Sequence, residues 1–208
     1  MSQTLIPTTA ENGYWNSISG VYNGLQDILS SAYSSSAADS NYPFFFFHSD
    51  DATTGIPGTA VIDSVKFHYY IRSKIVPADY QELDWGIFVS TTGYSGATLV
   101  GASTNDYGNY DYVGQIGFSQ QVTDLVTGWN VIDISSVGGV GYNRTTSGAG
   151  YTNIQVVMIN VNTVAPEYCE VDIFGDDGSH TGNIAYLEVN WHLPSPKGAS
   201  QAQLLMGK

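Results

Sequence analysis

Three groups of side chains in this sequence could do chemistry. The four histidines, His48, His68, His180 and His192, are spread along the chain, and none lies four residues from another or beside the single cysteine. A zinc site needs convergence that this spacing does not supply, so the plain reading is four separate imidazoles. Asp172, Asp176 and Asp177, with Asp50 and Asp51 elsewhere, offer the hard oxygens that calcium prefers. The stretch "DDGSHTGN" is also an ordinary acidic turn without EF-hand spacing. The turn is the favoured reading, and a structural calcium is the alternative. The third group is "NDYGNYDY", where Asp106, Tyr107, Tyr110, Asp111 and Tyr112 interleave rings with carboxylates. That composition suits a glycan, stacking on the rings and hydrogen bonding to the acids; the competing reading is a Tyr-rich loop or edge strand at a subunit contact.

Motifs of catalysis do not stand out beside these groups. The sequence contains no Gly-x-Ser-x-Gly elbow, Walker loop or dinucleotide fingerprint, and the glycine-rich "GVGYNRTTSGAG" lacks the strand-to-helix context that cradles phosphate. A carboxylate pair for glycoside hydrolysis stays open as a minor reading, because acid and nucleophile come from distant strands. The expectation is a non-enzyme with no cofactor beyond that candidate calcium.

Composition narrows the partners. The chain has 208 residues and a net charge of −13. Between Lys74 and Arg144 no basic residue occurs, while Asp79, Glu82, Asp84, Asp106, Asp111, Asp124 and Asp133 all fall there. Such a surface repels phosphate backbones, so nucleic acid is not an expected partner. With one cysteine, Cys169, an internal disulfide is excluded. The opening "MSQTLIPTTAENGYW" has neither the basic nor the apolar region of a secretory signal, and no run of about 18 apolar residues exists for a membrane span. The expectation is synthesis in a cytoplasm without membrane insertion. Asn143-Arg144-Thr145 matches a glycosylation sequon but reads as a polar loop.

The elements that would position these groups are strands. "SVKFHYYIRSK" alternates, with Val65, Phe67, Tyr69 and Ile71 on one face and Lys66, His68, Tyr70 and Arg72 on the other. "ELDWGIFVS" repeats the pattern, with Leu83, Trp85, Ile87 and Val89 inward. "AYLEVNWHL" does the same, with Ala185, Leu187, Val189, Trp191 and Leu193 inward and Glu188, Asn190 and His192 outward. "GWNVIDIS" and "CEVDIF" are shorter candidates, and "NIQVVMINV" is apolar on both faces. Gly-rich turns, such as Gly55-Ile56-Pro57-Gly58, separate these runs. The fold class expected is all-β: an antiparallel two-sheet β-sandwich of jelly-roll topology with N- and C-terminal extensions.

Residues 1–42 read as an N-terminal arm, 43–193 as the sandwich domain and 194–208 as a tail. In the arm, Ile18, Val21, Tyr22, Leu25, Ile28 and Leu29 follow a helical rhythm that Asn16 or Ser17 could cap, although Gly20 and Gly24 oppose it. The serine-rich "SSAYSSSAADS" then reads as a linker or long loop. "PFFFFH" is unusual: alternation puts Phe45 and Phe47 on one face and Phe44 and Phe46 on the other, so neither face is polar. Leaving two such rings in water would forfeit about 3–6 kcal/mol. One pair is therefore expected between the sheets and the other beneath the 13–40 segment or a neighbouring subunit. Phe44, Phe45, Phe46 and Phe47, with Leu204, Leu205 and Met206 of the tail, are the expected interface and anchor residues, and a homo-oligomer is the expected state.

The stretch "GIPGTAVIDSVKFHYYIRSK" resembles the turn that leads into the first long strand of jelly-roll domains in bacteriophage virion proteins, related in pattern to DNRLRE-type surface domains. "SHTGNIAYLEVNWH" is similar to their last strand and "GYWNSISGVYNGLQDILSS" to the Trp-containing segment before the domain. The resemblance covers roughly residues 13–192 and departs from the DNRLRE pattern in having "PFFFFH" where an Arg-led strand would stand. It implies a structural component of a phage particle, a capsid decoration, head fibre or tail-associated protein, whose partners are other virion proteins and whose location is the virion after synthesis in the host cytoplasm. A carbohydrate-binding module or host-receptor adhesin on the same fold, contacting a host-surface glycan, is the alternative.

Overall fold

The computed structural model describes residues 1–6, 12–16, 21–24, 28–34, 41–48, 54–76, 83–90, 116–135, 151–160, 168–175 and 182–195. In chain order the strands are β1 (Ser2–Leu5), β2 (Asn12–Asn16), β3 (Val21–Gly24), β4 (Ile28–Ser34), β5 (Asn41–His48), β6 (Val61–Ile75), β7 (Leu83–Ser90) and β8 (Ile116–Gln121). After a 3-10 turn at Val122–Asp124 come β9 (Gly128–Asp133), β10 (Tyr151–Asn160), β11 (Tyr168–Phe174) and β12 (Tyr186–His192). The protein is all-β, and among the described residues every strand pairing is antiparallel.

The first sheet is organised on β6. β12 pairs along Val61–His68, β11 along Ile71–Ile75 and β9 along Lys66–Ile71. His68 has partners in both β12 and β9, and Ile71 in both β11 and β9. A strand residue has one neighbour on each side, so β11 and β12 must lie in tandem along one edge of β6, with β9 along the other. β1 extends the sheet beyond β12, and β4 beyond β11. The second sheet runs β3-β2-β5-β10-β7-β8.

The alternation expected for β6 is present. Val65, Phe67, Tyr69 and Ile71 are fully buried, and Lys66, His68 and Tyr70 between them are only partly so. Two bulges then change its parity. Asn190 and Trp191 face Ser64 and Ile62, so Asp63 is an extra residue; Asp172 and Ile173 face Ser73 and Ile71, so Arg72 is another. An extra residue turns the strand beyond it over. As a result Ile62 and Val76, rather than the odd-numbered positions that simple alternation selects, pack on the core, and Ile75 is exposed. The same inversion carries Lys74 inward, where its ammonium donates to the carbonyls of Thr123 at 3.2 Å and of Val122 and Leu125, fixing the 3-10 turn beneath the sheet.

The core joins both sheets. β12 contributes Leu187, Val189 and Trp191 and β11 contributes Cys169, Val171 and Ile173, all buried. From the second sheet Phe45 and Phe47 are also fully buried. Their rings stand 5.5 Å and 6.1 Å from that of Phe67, and Phe67 stacks on Tyr69 at 5.2 Å. Burial of each such ring stabilises the fold by roughly 1.5–3 kcal/mol. The interior half of the Phe-quartet expectation is met by this pair; the side chains of Phe44 and Phe46 lie outside the described residues. Residues 12–16 of β2 pair edge to edge with Asn41–Phe45 of β5, so they lie beside this strand within its sheet and not over its face.

Three sequence readings are corrected here. Of the helical rhythm that begins at Ile18, the described residues Val21, Tyr22, Ile28 and Leu29 lie on strands: Val21–Gly24 is β3, and Ile28–Ser34 is β4, paired along its whole length with β11, while Ile18 and Leu25 lie outside the described residues. Glycine weakens a helix, Val and Tyr suit a pleated surface, and a seven-residue ladder supplies the long-range hydrogen bonds that sequence periodicity cannot reveal. The same ladder takes Ser30–Ser34 out of the supposed serine-rich linker. Leu193 was expected inward, but β12 ends at His192 and Leu193 is half exposed. The Gly-Ile-Pro-Gly turn is present: Gly55 has φ +69°, Ala60 N donates to Pro57 O at 2.8 Å, and Ile56 and Ala60 are buried. A positive φ at Gly55 is the conformation that a side chain disfavours.

Candidate binding face

The side of the first sheet away from the core carries an ordered row of rings. Directly opposed residues in neighbouring strands share a face, so the register alone predicts which outward side chains meet. Trp129 of β9 is opposite Tyr70 of β6, Val131 is opposite His68, and His68 is opposite Tyr186 of β12. The next row runs Asp133, Lys66, Glu188 and Thr4 across β9, β6, β12 and β1. Beyond it Ser64, Asn190 and Ser2 complete the face.

The rings form a continuous chain. His68 and Tyr186 stack in parallel at 4.4 Å, Tyr186 meets Trp129 at 5.4 Å, Trp129 meets Tyr70 edge to face at 5.5 Å, and Tyr70 meets Phe174 at 5.5 Å. Offset or edge-to-face ring pairs contribute about 0.5–1.5 kcal/mol each beyond their buried area, so the row is held rigidly. Trp129 nevertheless remains 43% exposed, and Val131 beside it 54%.

A polar line runs next to the rings. Glu188 Oε2 is 3.1 Å from His68 Nε2, and its Oε1 accepts from Asn190 Nδ2 at 2.9 Å; the same amide group reaches Ser64 Oγ at 3.0 Å. The hydrogen bond from Asn190, with help from Lys66 and His68, holds the Glu188 carboxyl below the usual carboxylate range. Burial under its neighbours pulls the His68 imidazole below its ordinary value, against the opposing pull of Glu188. Of these two tendencies burial wins at the ring, so at neutral pH His68 is uncharged and Nε2–H donates to an ionised Glu188. Asp133, at the other end of the row, accepts from Ser135 N at 2.9 Å and from the Ser135 hydroxyl, which lowers its carboxyl.

Of the residues singled out in the sequence, His68 and His192 lie outward on their strands as expected. His68 is not a free surface imidazole, however: its side chain is only 18% exposed, clamped between Tyr186 and Glu188. His192 Nδ1 lies 2.8 Å from Asp63 on the exposed bulge. Asp172 Oδ2 accepts from Ser73 Oγ at 2.7 Å, while Asp176 and Asp177 fall outside the described residues; among those that are described, no group of three His, Cys, Asp or Glu side chains converges for a metal. Asp106, Tyr107, Tyr110, Asp111, Tyr112, His180, Leu204, Leu205 and Met206 also lie outside them, and His48 is described in backbone only. The ring row was missed as a unit. Its signal was the outward half of two alternating segments, Tyr70 and His68 in one and Tyr186 and Glu188 in the other, but their adjacency depends on register.

Among the described residues no helix is long and apolar enough to cross a membrane. Compared with known proteins, the chain matches no family model and no curated protein sequence.

Proposed function

We propose that this chain is a non-enzymatic structural component of a bacteriophage particle, a capsid decoration, head fibre or tail-associated protein. It is a β-sandwich of jelly-roll topology that displays the outer face of its first sheet. The observation that carries the reading is the contrast between the two sides of β6: one packs into a shared core through Phe67, and the other holds rings in an ordered row with Trp129 exposed. A rigid sheet with a worked outer face is suited to contact rather than turnover. In this reading the tail with Leu204, Leu205 and Met206, together with subunit contacts, anchors the protein as a homo-oligomer to other virion proteins, after synthesis in the host cytoplasm.

The test is composition of purified particles together with mass in solution. The chain is expected in particles at fixed stoichiometry and as an oligomer when isolated, and deletion of residues 194–208 is expected to abolish incorporation. Absence from particles would remove the reading. The second reading, a carbohydrate-binding module or adhesin on the same scaffold, is favoured by one specific observation, the exposed indole flanked by two tyrosines.

A further inference from the structure

We propose that the outer face of β9, β6 and β12 is a binding platform for neutral saccharide chains, with Trp129 as the stacking surface and Glu188 and Asn190 as the hydroxyl-recognising groups. The proposal rests on the displayed face described above and names what it contacts; it places the site on different residues from the Tyr107–Tyr112 segment that the sequence suggested.

The rings supply the first half of the argument. A pyranose presents a face of C–H bonds with partial positive charge, and an aromatic ring presents a negative face, so the two stack. Affinity from stacking is greatest when the ring need not be ordered on binding. Trp129 meets Tyr70 at an interplanar angle of 87° and Tyr186 at 65°, contacts on two sides that hold the indole, yet 43% of it remains open to solvent. The exposed Val131 extends the apolar surface along β9.

The second half comes from the polar line. Glu188 is pinned through one oxygen by Asn190 and through the other by His68, at 2.9 Å and 3.1 Å, and a carboxylate oxygen can accept more than one hydrogen bond. Sugar hydroxyls, which donate and accept, can replace the water on Glu188, Asn190 and Asp133 without leaving a charge unpaired. A protein partner pressed on the same face would have to desolvate Asp133, Lys66 and Glu188 together, which is costly unless each finds a partner. The charge also selects the sugar. Two carboxylates flank the one ammonium of Lys66 in this row, and the whole chain carries −13, so an anionic uronic-acid polymer is disfavoured where a neutral one is not.

The experiment is affinity electrophoresis of the full chain through native gels containing β-glucan, galactomannan, yeast mannan or dextran, with polygalacturonate as the anionic probe. Retardation by at least one neutral polysaccharide is expected and none by polygalacturonate. Trp129→Ala should weaken the effective probe by about tenfold or more, and Glu188→Gln by a smaller factor. Circular dichroism checks that each variant is folded; should Trp129→Ala fail to fold, Trp129→Leu, which keeps the apolar contact and removes the π face, takes its place. No retardation by any neutral polysaccharide, or binding that survives loss of the indole, would overturn the assignment. Absence of the chain from particles would defeat the structural-component reading and leave these gel shifts unaffected, so the two can fail separately.

Discussion

His68 and Glu188 form a pair whose charge state fixes how the outer face responds to acid. Burial lowers the imidazole's affinity for a proton, so on acidification the unfolded chain protonates this ring near its ordinary value of about 6.5 while the folded chain does so only at lower pH. Below that value the unfolded state holds more protons, and stability falls as pH drops. Glu188 acts in the same direction further down: its carboxyl is depressed in the fold, so its contribution is present above about 4.5 and is lost as pH falls through the folded value. Melting temperature is therefore expected to decline between pH 7 and pH 5, and His68→Gln should flatten the decline in that window; a variant with the wild-type slope there would show that the ring does not contribute. Cys169 gives a second prediction at this scale. Its thiol is fully buried, and burial pushes it up to about 11, so almost no thiolate exists at neutral pH. Iodoacetamide at pH 8 should leave the native protein unlabelled and modify it once urea unfolds the chain, as read by intact mass.

Among the elements, β9 and the turn before it show most clearly how local chemistry positions the ring row. Asn130 is buried, donates through Nδ2 to Val126 O at 2.7 Å and Gly128 O at 2.9 Å, and accepts from Val126 N at 3.2 Å. These bonds close a tight turn in which Gly128 has φ +113°, and they deliver Trp129 to the outer face beside Tyr70. Asn130→Ala removes three bonds, and a destabilisation of about 1–3 kcal/mol is expected, read as a lower urea midpoint with unchanged slope. A change in slope instead would mean that the turn organises more than itself. The strand character of β6, β7, β9, β10, β11 and β12 was legible in the sequence because alternation and turn residues report local geometry. The outward position of His68, Tyr70, Glu188 and Asn190 was legible for the same reason. What was not legible was any fact set by pairing: the bulge at Asp63 that turns Ile62 to the core, the bulge at Arg72 that turns Lys74 inward, the capture of Ile28–Ser34 by β11, and the meeting of Trp129 with Tyr186 across β6. A helical spacing of apolar residues can arise where short strands follow one another closely in sequence, and only the long-range ladder distinguishes the two.

For the molecule as a whole, the question is whether the two sheets are one cooperative body, and Phe67 is where it can be asked. This ring from the first sheet lies within 5.5 Å and 6.1 Å of Phe45 and Phe47 of the second, and all three are fully buried. Truncating a buried Phe to Ala costs about 3–5 kcal/mol, a large share of the 5–15 kcal/mol that typically holds a domain folded, so the milder Phe67→Leu and Phe45→Leu are the better probes. If the sheets unfold together, each substitution lowers a single transition seen equally by far-ultraviolet dichroism and by tryptophan fluorescence. Because the rings touch, the double variant should depart from the sum of the singles by about 0.5–1.5 kcal/mol. Sheets that were stable separately would instead give two transitions, with Phe67→Leu moving one and Phe45→Leu the other, and additive costs. The outer face depends on the first outcome: β6 holds both the ring row and the contact with Phe45 and Phe47, so an order of rings on one side is maintained by packing on the other, and a loosened core should soften the near-ultraviolet signal of Trp129 before the strands are lost.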